Sequence, residues 1–339
     1  MRILYGIQGT GNGHLSRAIE IIPYLQKWGE TDILVSGQDN EIDLPFEIKF
    51  RFKGLGYIFG TNGGIDLMNT YLKNKLNRFY KEIKYLPVEE YDLVISDFEP
   101  VTAWACYLKN KPCIGLSNQM AVLAENAPQP KQIDPLGKLI LKNYCPVTTA
   151  YGFHYLKYND EIFTPVIRKE IRNLKISDEE FYLVYLPSYE DSRIIKQLHK
   201  HPELNWRLFS KHNKKTYKAG NVEIFPISKE KFLESMASCK GILCNAGFAT
   251  TSEALFLKKK LMVIPMRGQF EQQCNAVALK QIGVHVMKSL KPKHEIKFVK
   301  WLKEDTTVEL DYPDETKKII DMIVEKHAIK QNHNISVLQ

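Results

Sequence analysis

The sequence predicts an α/β protein built from two successive units of similar size, each with a parallel sheet. Three observations carry this expectation. Short apolar, β-type runs alternate with helical patterns, which is the signature of βαβ units. The alternation lapses between about 145 and 168 and then resumes. The chain has 339 residues, well above the ~100–200 usual for one domain.

In the first half the order is "RILYGI", a helix from about His14 to Trp28, "TDILVS", a helix near 66–85, "YDLVISD", a helix near 100–109 and "PCIGLS". Within the first helix Leu15, Ala18, Ile19, Ile22 and Leu25 recur at helical spacing. Pro23 is expected to kink that helix and Gly29 to stop it. The second half runs "FYLVYLP", a helix near 191–200, "WRLFS", "VEIFPI", a helix near 229–238, "KGILCN", a helix near 250–258, "LMVIP", a helix near 271–282 and "VHVM". The stretch between the halves holds prolines and little periodicity, so the domains are set at 1–164 and 165–330. The last helix, about 313–328, is expected to pack back on the first domain, and residues 331–339 to be a flexible tail.

Composition narrows the class without choosing a function. With 44% hydrophobic and 25% charged residues the chain is that of an ordinary globular protein. The formal net charge is +8, yet the lysines are scattered, and "KKK" at 258–260 is the true run. Such a surface meets phosphate-bearing partners readily, and most of these lysines are expected in solvent. The six cysteines form no C-x-x-C pair, which points to buried thiols in a reducing compartment. No apolar run approaches the ~18 residues of a membrane span, and "MRILYGIQG" does not read as a signal peptide. The expected location is the cytoplasm, with peripheral contact at the inner membrane face left open.

Two stretches hold the candidate chemistry. "YGIQGTGNGHLSR" (5–17) follows the first strand with Gly6, Gly9, Gly11 and Gly13. The Gly-x-Gly-x-x-Gly dinucleotide pattern fails there, because His14 stands where its last glycine belongs. The second stretch, 241–284, reads as strand, glycine turn, helix, strand, loop and helix. Ligands in open α/β sheets sit beyond the carboxyl ends of the strands, so the turns after "ILCN" and "VIP" open on one crevice. "NAGFATT" brings backbone N–H groups and a helix start together, which suits a diphosphate. Gly247 permits close approach, and Thr250 and Thr251 offer hydroxyls. The plain alternative is a capping box formed by Thr250 and Glu253. In "RGQFEQQCNA" the amides and carboxylate of Gln269, Glu271, Gln272, Gln273 and Asn275 suit a polyhydroxylated ligand, or else a solvated helix start.

The glycine turn, "TSEAL", the strand ending in Pro265, "EQQ-C-NA" and Gly283 together resemble the donor-nucleotide motif of GT-B glycosyltransferases, the superfamily of the UDP-glucuronosyltransferase-like enzymes and the peptidoglycan UDP-N-acetylglucosamine transferase. "GTGNGHLSR" and "YDLVISDFEP" resemble the acceptor domain of the same superfamily, and the whole resembles a subgroup of glycosyltransferases from bacteria and archaea whose acceptors are largely undefined. The resemblance implies two Rossmann-like domains facing across a cleft, the first on the acceptor side and the second holding the nucleotide-sugar donor. It assigns the diphosphate to Gly247, Phe248, Thr250, Thr251 and Ser188, and the ribose to Glu253. Ile227 would lie at the nucleobase, and Glu271 with Gln272 at the donor sugar. Gly11, Asn12 and Gly13 would form the acceptor-side loop. Lys258, Lys259 and Lys260 depart from the family's Gly-x-Pro at that turn.

Transfer to a hydroxyl needs a base. His14 suits the task, since a histidine's unperturbed pKa of ~6.5 leaves it largely neutral at pH 7, and Asp97 resembles its acidic partner. Simpler readings remain, with His14 as a helix-start residue bonded to the glycine loop and Asp97 as the cap of the next helix. No metal is expected, because the nearest acidic pair, Asp97 and Glu99, lies in the acceptor half. Inverting, metal-independent transfer from a UDP-sugar co-substrate is therefore the expected activity, with no cofactor and no nucleic acid. An epimerase of the same fold would need more acid/base residues, and a non-catalytic nucleotide-sugar sensor could dispense with His14. Segments 52–72 and 120–141, apolar and basic, are expected to be acceptor-side loops compatible with a lipid-linked acceptor in cell-envelope glycan or glycolipid synthesis.

Overall fold

The computed structural model describes residues 1–37, 44–55, 76–131 and 134–329. Among them, seven strands form a first sheet: β1 (Arg2–Gln8), β2 (Glu30–Ser36), β3 (Phe50–Phe52), β4 (Leu93–Asp97), β5 (Ile114–Ser117), β6 (Thr149–Phe153) and β7 (Ile162–Phe163). Their order is β3-β2-β1-β4-β5-β6-β7, and every pairing is parallel. A second sheet holds β8 (Glu179–Tyr185), β9 (Asn205–Ser210), β10 (Tyr217–Ala219), β11 (Val222–Pro226), β12 (Cys239–Asn245), β13 (Lys260–Ile264) and β14 (His285–Val286). It runs β10-β11-β9-β8-β12-β13-β14, parallel except for the β10–β11 edge.

Helices cover both faces of each sheet, which is why the central strands read as continuous apolar runs. Ile3, Leu4, Tyr5 and Ile7 of β1 are all fully buried. One apolar cluster continues from Ile3 and Leu15 of the first half to Leu183, Ala246 and Phe248 of the second, so the halves share a core. The C-terminal helix Thr316–Val324 adds Ile319 and Ile320 to it. That helix packs on the first half, where Trp28 Nε1 donates to Asp321 Oδ1 at 2.8 Å.

The strand order reverses direction between β1 and β4 in the first sheet and between β8 and β12 in the second. A crevice opens at each of these points, beyond the strand carboxyl ends. They are where Gln8–Gly13, Asp97, Ser188 and Asn245–Gly247 emerge.

Several elements differ from expectation. The first helix, Asn12–Leu25, ends before Trp28. It continues only two residues past Pro23, and the chain then closes in tighter turns, with Lys27 N bonded to Tyr24 O and Trp28 N to Leu25 O. Gly29 serves closeness instead, because a Cβ there would stand 2.0 Å from Met1 O. Strands β3, β6, β7 and β10 and the helices Asn118–Val122, Pro135–Tyr144, Lys169–Arg172 and Glu295–Lys303 are absent from the sequence reading. Most are too short to show a period. The helix expected near 66–85 is described only as Leu76–Tyr85. The rest of it, most of segment 52–72 and the 331–339 tail lie outside the described residues. All six cysteines are buried and free.

The lysine run is not a solvated face. Lys259 is 4% and Lys260 5% exposed, with Lys259 Nζ donating to Ser177 O at 2.7 Å and Lys260 Nζ to Leu302 O at 3.0 Å. Lys258 carries φ 53°, in the left-handed region, at the position where the resembling family has glycine. A side chain in that region costs roughly 1 kcal/mol, part of which glycine returns as unfolded-state entropy. Lys258→Gly is thus expected to raise the unfolding free energy by about 0.5–1 kcal/mol in chemical denaturation. A neutral or lower value would mean that the exposed Lys258–Glu309 pair compensates.

Candidate active site

On the first sheet the glycine loop leaves β1 and turns at Gly11, whose φ of 96° caps the helix Asn12–Leu25. A side chain would resist that conformation. His14 and Arg17, three residues apart, share one face of the helix and turn together toward the end of β4. His14 Nδ1 lies 2.7 Å from Asp97 Oδ1, so the carboxylate selects the tautomer with hydrogen on Nδ1 and leaves the Nε2 lone pair toward the cleft. Arg17 Nε donates to Asp97 Oδ2 at 2.8 Å, and the Tyr5 hydroxyl to the same oxygen at 3.3 Å. Asp97 is 0% exposed. Burial pushes its carboxyl upward, but Arg17 and His14 outweigh that effect and hold it below the usual carboxylate range.

The reading of Asp97 as a helix cap is corrected. Glu99 caps the helix Pro100–Leu108, accepting from Val101 N at 2.7 Å and Thr102 N at 2.6 Å, with Pro100 at the favoured first position. Between the two acids Phe98 is held at φ 55°. Such strain persists only where packing over-determines it, and here the Phe98 ring stacks on Tyr144 at 4.9 Å and on His14 at 6.5 Å.

On the second sheet the helix after β12 is Phe248–Phe256 with Gly247 as its cap. The Thr250–Glu253 capping box is therefore corrected, since both residues lie inside the helix. Gly247 and Phe248 present the free N–H end of the helix. Thr251 is corrected as a diphosphate donor: it is 0% exposed, and its hydroxyl bonds back to Gly247 O at 2.8 Å and meets Tyr155 Oη at 2.7 Å. Thr250 stays half-buried on the first turn. Asn245 ties the strand ends together, accepting from Ser188 Oγ at 3.0 Å and donating to Ile264 O at 2.7 Å, which holds Ser188 at the same turn. Glu253 meets Arg168 through two bonds of 2.6 and 2.8 Å. These use one lone pair on each oxygen and leave the others open. Ile227 is half-buried just beyond β11. Gln272 accepts from Met266 N at 3.0 Å, and its Nε2 is the nearest group, at 4.0 Å, to a Cβ built on Gly247.

The two sides meet. Gly13 faces Ala249, whose Cβ is 3.4 Å from a Cβ built on that glycine. Glu271 reaches across to the segment after β5, where Asn118 Nδ2 donates to Oε1 at 2.8 Å and Gln119 Nε2 to Oε2 at 3.0 Å. Gln119 Nε2 also stands 3.3 Å from His14 Nε2. A continuous chain of side chains, Asp97–His14–Gln119–Glu271, thus runs from one sheet to the other. Within segment 120–141 the structure places the helix Pro135–Tyr144, with Leu136 51% and Leu139 58% exposed.

Sequence reasoning missed Arg17, Phe98, Asn118, Gln119 and Arg168. The spacing of Arg17 from His14 was a usable signal. The other four come from chain distance: Gln119 is 105 residues from His14 and 152 from Glu271. Among the described residues no group of three or more His, Cys, Asp or Glu side chains is placed to share a metal ion, and no helix is long and apolar enough to cross a membrane.

Solved structures share this architecture over nearly the whole chain. The MurG structure from Acinetobacter baumannii superposes with a TM-score of 0.61 at 14% identity, covering 96% of this chain and 99% of that one. The glycotransferase of kitacinnamycin gives 0.58 at 13% identity, with 96% and 95% covered. UGT2 of Phytolacca americana, complexed with UDP-2-fluoro-glucose and pterostilbene, gives 0.56 at 12% identity, with 96% and 94% covered. No curated protein matches in sequence. The family model for glycosyl transferase family 1 matches residues 1–303. The chain belongs to that family and is a glycosyltransferase of the two-domain GT-B fold.

Proposed function

We propose that the protein transfers a hexose-type sugar from a nucleotide diphosphate sugar, a UDP-sugar by the motif, to a hydroxyl acceptor in one inverting step without a metal. The observation that carries this reading is the Asp97–His14–Gln119–Glu271 chain across the cleft. It sets His14 Nε2, whose lone pair faces the Gln119 amide, one side chain away from the carboxylate suited to the sugar hydroxyls. In this mechanism His14 Nε2 takes the acceptor proton while the acceptor oxygen attacks the anomeric carbon. The bond to the diphosphate breaks, and its electron pair goes to the leaving phosphate oxygen. Asp97 stays ionised and balances the imidazolium that forms.

The diphosphate is assigned to Gly247, Phe248, Thr250 and Ser188, where the helix start offers preorganised N–H groups for the developing charge. Glu253, steadied by Arg168, is assigned to the ribose, Ile227 to the base, and Glu271 with Gln272 to the sugar. Gly11, Asn12 and Gly13 carry the acceptor-side loop. Asp97 and Glu99 are both already engaged, by His14 with Arg17 and by the helix start, which supports a mechanism resting on these dipoles. The exposed Leu136 and Leu139 support a lipid-linked acceptor and a place for the protein at the cytoplasmic membrane face. Calorimetry with UDP, GDP, dTDP and their glucose conjugates tests the donor side. Uridine compounds are expected to bind, and Glu253→Ala to weaken them by about tenfold through loss of a charge-assisted ribose contact. Binding of NAD(H) alone, or of no diphosphate, would sink the reading.

A further inference from the structure

After β14 the chain turns into "KSLKPKHEIKFVKWLKE" (288–304), which carries six lysines against two glutamates. Both acids are already paired, Glu304 in part with Lys300 of the same segment at 3.4 Å. Glu295 accepts from Gln197 at 2.7 Å and Lys200 at 2.8 Å, and Glu304 pairs with His285 at 3.0 Å. Lys288, Lys291, Lys293 and Lys297 are exposed. No ion pair to any of them occurs among the described residues. They converge on His294, whose pKa is lowered by burial and then by the charges of Lys293, Lys297, Lys288 and Lys291. Beside them Ile296 is 83% exposed, while Phe298 and Trp301 of the same helix are buried against Trp206 and Tyr182.

We infer that this lysine face, tipped by Ile296, docks the protein on an anionic lipid surface. Lysine ammonium groups are attracted to anionic headgroups, and one apolar side chain among them can enter the headgroup layer. A nucleic acid is the poorer fit. Residues 288–304 contain no arginine to grip phosphates bidentately, and their aromatic side chains are inside the core. The face begins where β14 ends, on the carboxyl edge of the second sheet. Since β12, β13 and β14 are parallel, this is the edge that carries the turn at Gly247. From that edge the chain crosses to the far end of the helix Asp191–Leu198, where Glu295 meets Gln197, Lys200 and His201. The inference does not depend on the transfer mechanism.

The test is co-sedimentation of the full chain with sucrose-loaded vesicles of equal parts phosphatidylglycerol and phosphatidylcholine, against phosphatidylcholine alone. Binding is expected only with phosphatidylglycerol and should fall with salt. Replacing Lys291, Lys293 and Lys297 by Glu is expected to weaken it by at least about a hundredfold, at roughly fivefold for each lysine lost. Ile296→Ser should weaken it by several-fold while leaving the salt dependence in place. All four side chains are exposed, so thermal midpoints should match the wild type. A wild type that ignores phosphatidylglycerol overturns the inference, as does a triple variant that binds normally. So does loss of binding in Lys138→Glu/Lys142→Glu, on the helix Pro135–Tyr144, with the triple variant unaffected. Tighter binding to polyuridylate than to vesicles would reassign the face to nucleic acid.

Discussion

Replacing His14 by alanine is expected to slow turnover by about three orders of magnitude while leaving nucleotide binding nearly unchanged. General-base catalysis by a positioned side chain contributes roughly 10²–10⁴-fold, and His14 is held for that role. Asp97 fixes its Nδ1 hydrogen at 2.7 Å, and Phe98 stacks on the ring. Nε2 faces the amide of Gln119, a group that a substrate hydroxyl can replace. The diphosphate assignment lies on the other sheet, at Gly247, so the loss should fall on kcat. The measurement is release of UDP from UDP-glucose with a panel of hydroxyl acceptors, beside calorimetry of UDP. Normal transfer by the variant would remove His14 from the mechanism, and lost binding would make it a structural residue.

Asp97→Ala is expected to cost stability as well as activity, by about 3–5 kcal/mol. The reason is Arg17, 5% exposed, whose guanidinium would be left buried without its counter-charge. The sign of the pH dependence provides a second readout. Because the folded carboxyl sits below its ordinary value, it contributes stability that is present above the unfolded carboxylate pKa and is lost as pH falls through the folded one. Denaturation curves of the wild type should therefore weaken with acid, and those of Asp97→Asn should weaken less. An alanine variant as stable as the wild type would show that water reaches Arg17.

The helix Asn12–Leu25 shows how far local pattern carries. Its apolar spacing and its placement of His14 were legible, because side chains three and four apart share a face whatever surrounds them. Its end was not: the chain closes in tighter turns two residues past Pro23, and Trp28 lies outside the helix, bonded to Asp321, 293 residues away. The turn at Gly247 shows the same division. A strand followed by glycine and a helix marks a phosphate-binding type of turn, yet only packing shows that the Thr251 hydroxyl is spent inside the helix and that Gly247 is the cap. In the lysine run, composition suggested solvent. The structure buries Lys259 and Lys260 because backbone carbonyls of Ser177 and Leu302, remote in sequence, accept their ammonium groups.

What the sequence by itself determined is therefore the alternation of strands and helices, the two-unit α/β plan and the residue types at each strand end. Hydrophobic period, glycine and the carboxyl-edge rule all act over a few residues. What only the tertiary structure decided is which of those strand ends face one another and which polar groups remain open. Gln119 meets both His14 and Glu271, Arg168 takes Glu253, and Glu99 rather than Asp97 caps its helix. Those pairings depend on how two sheets close across a cleft, and buried charges and amides accept whatever partner that closure brings within about 3 Å.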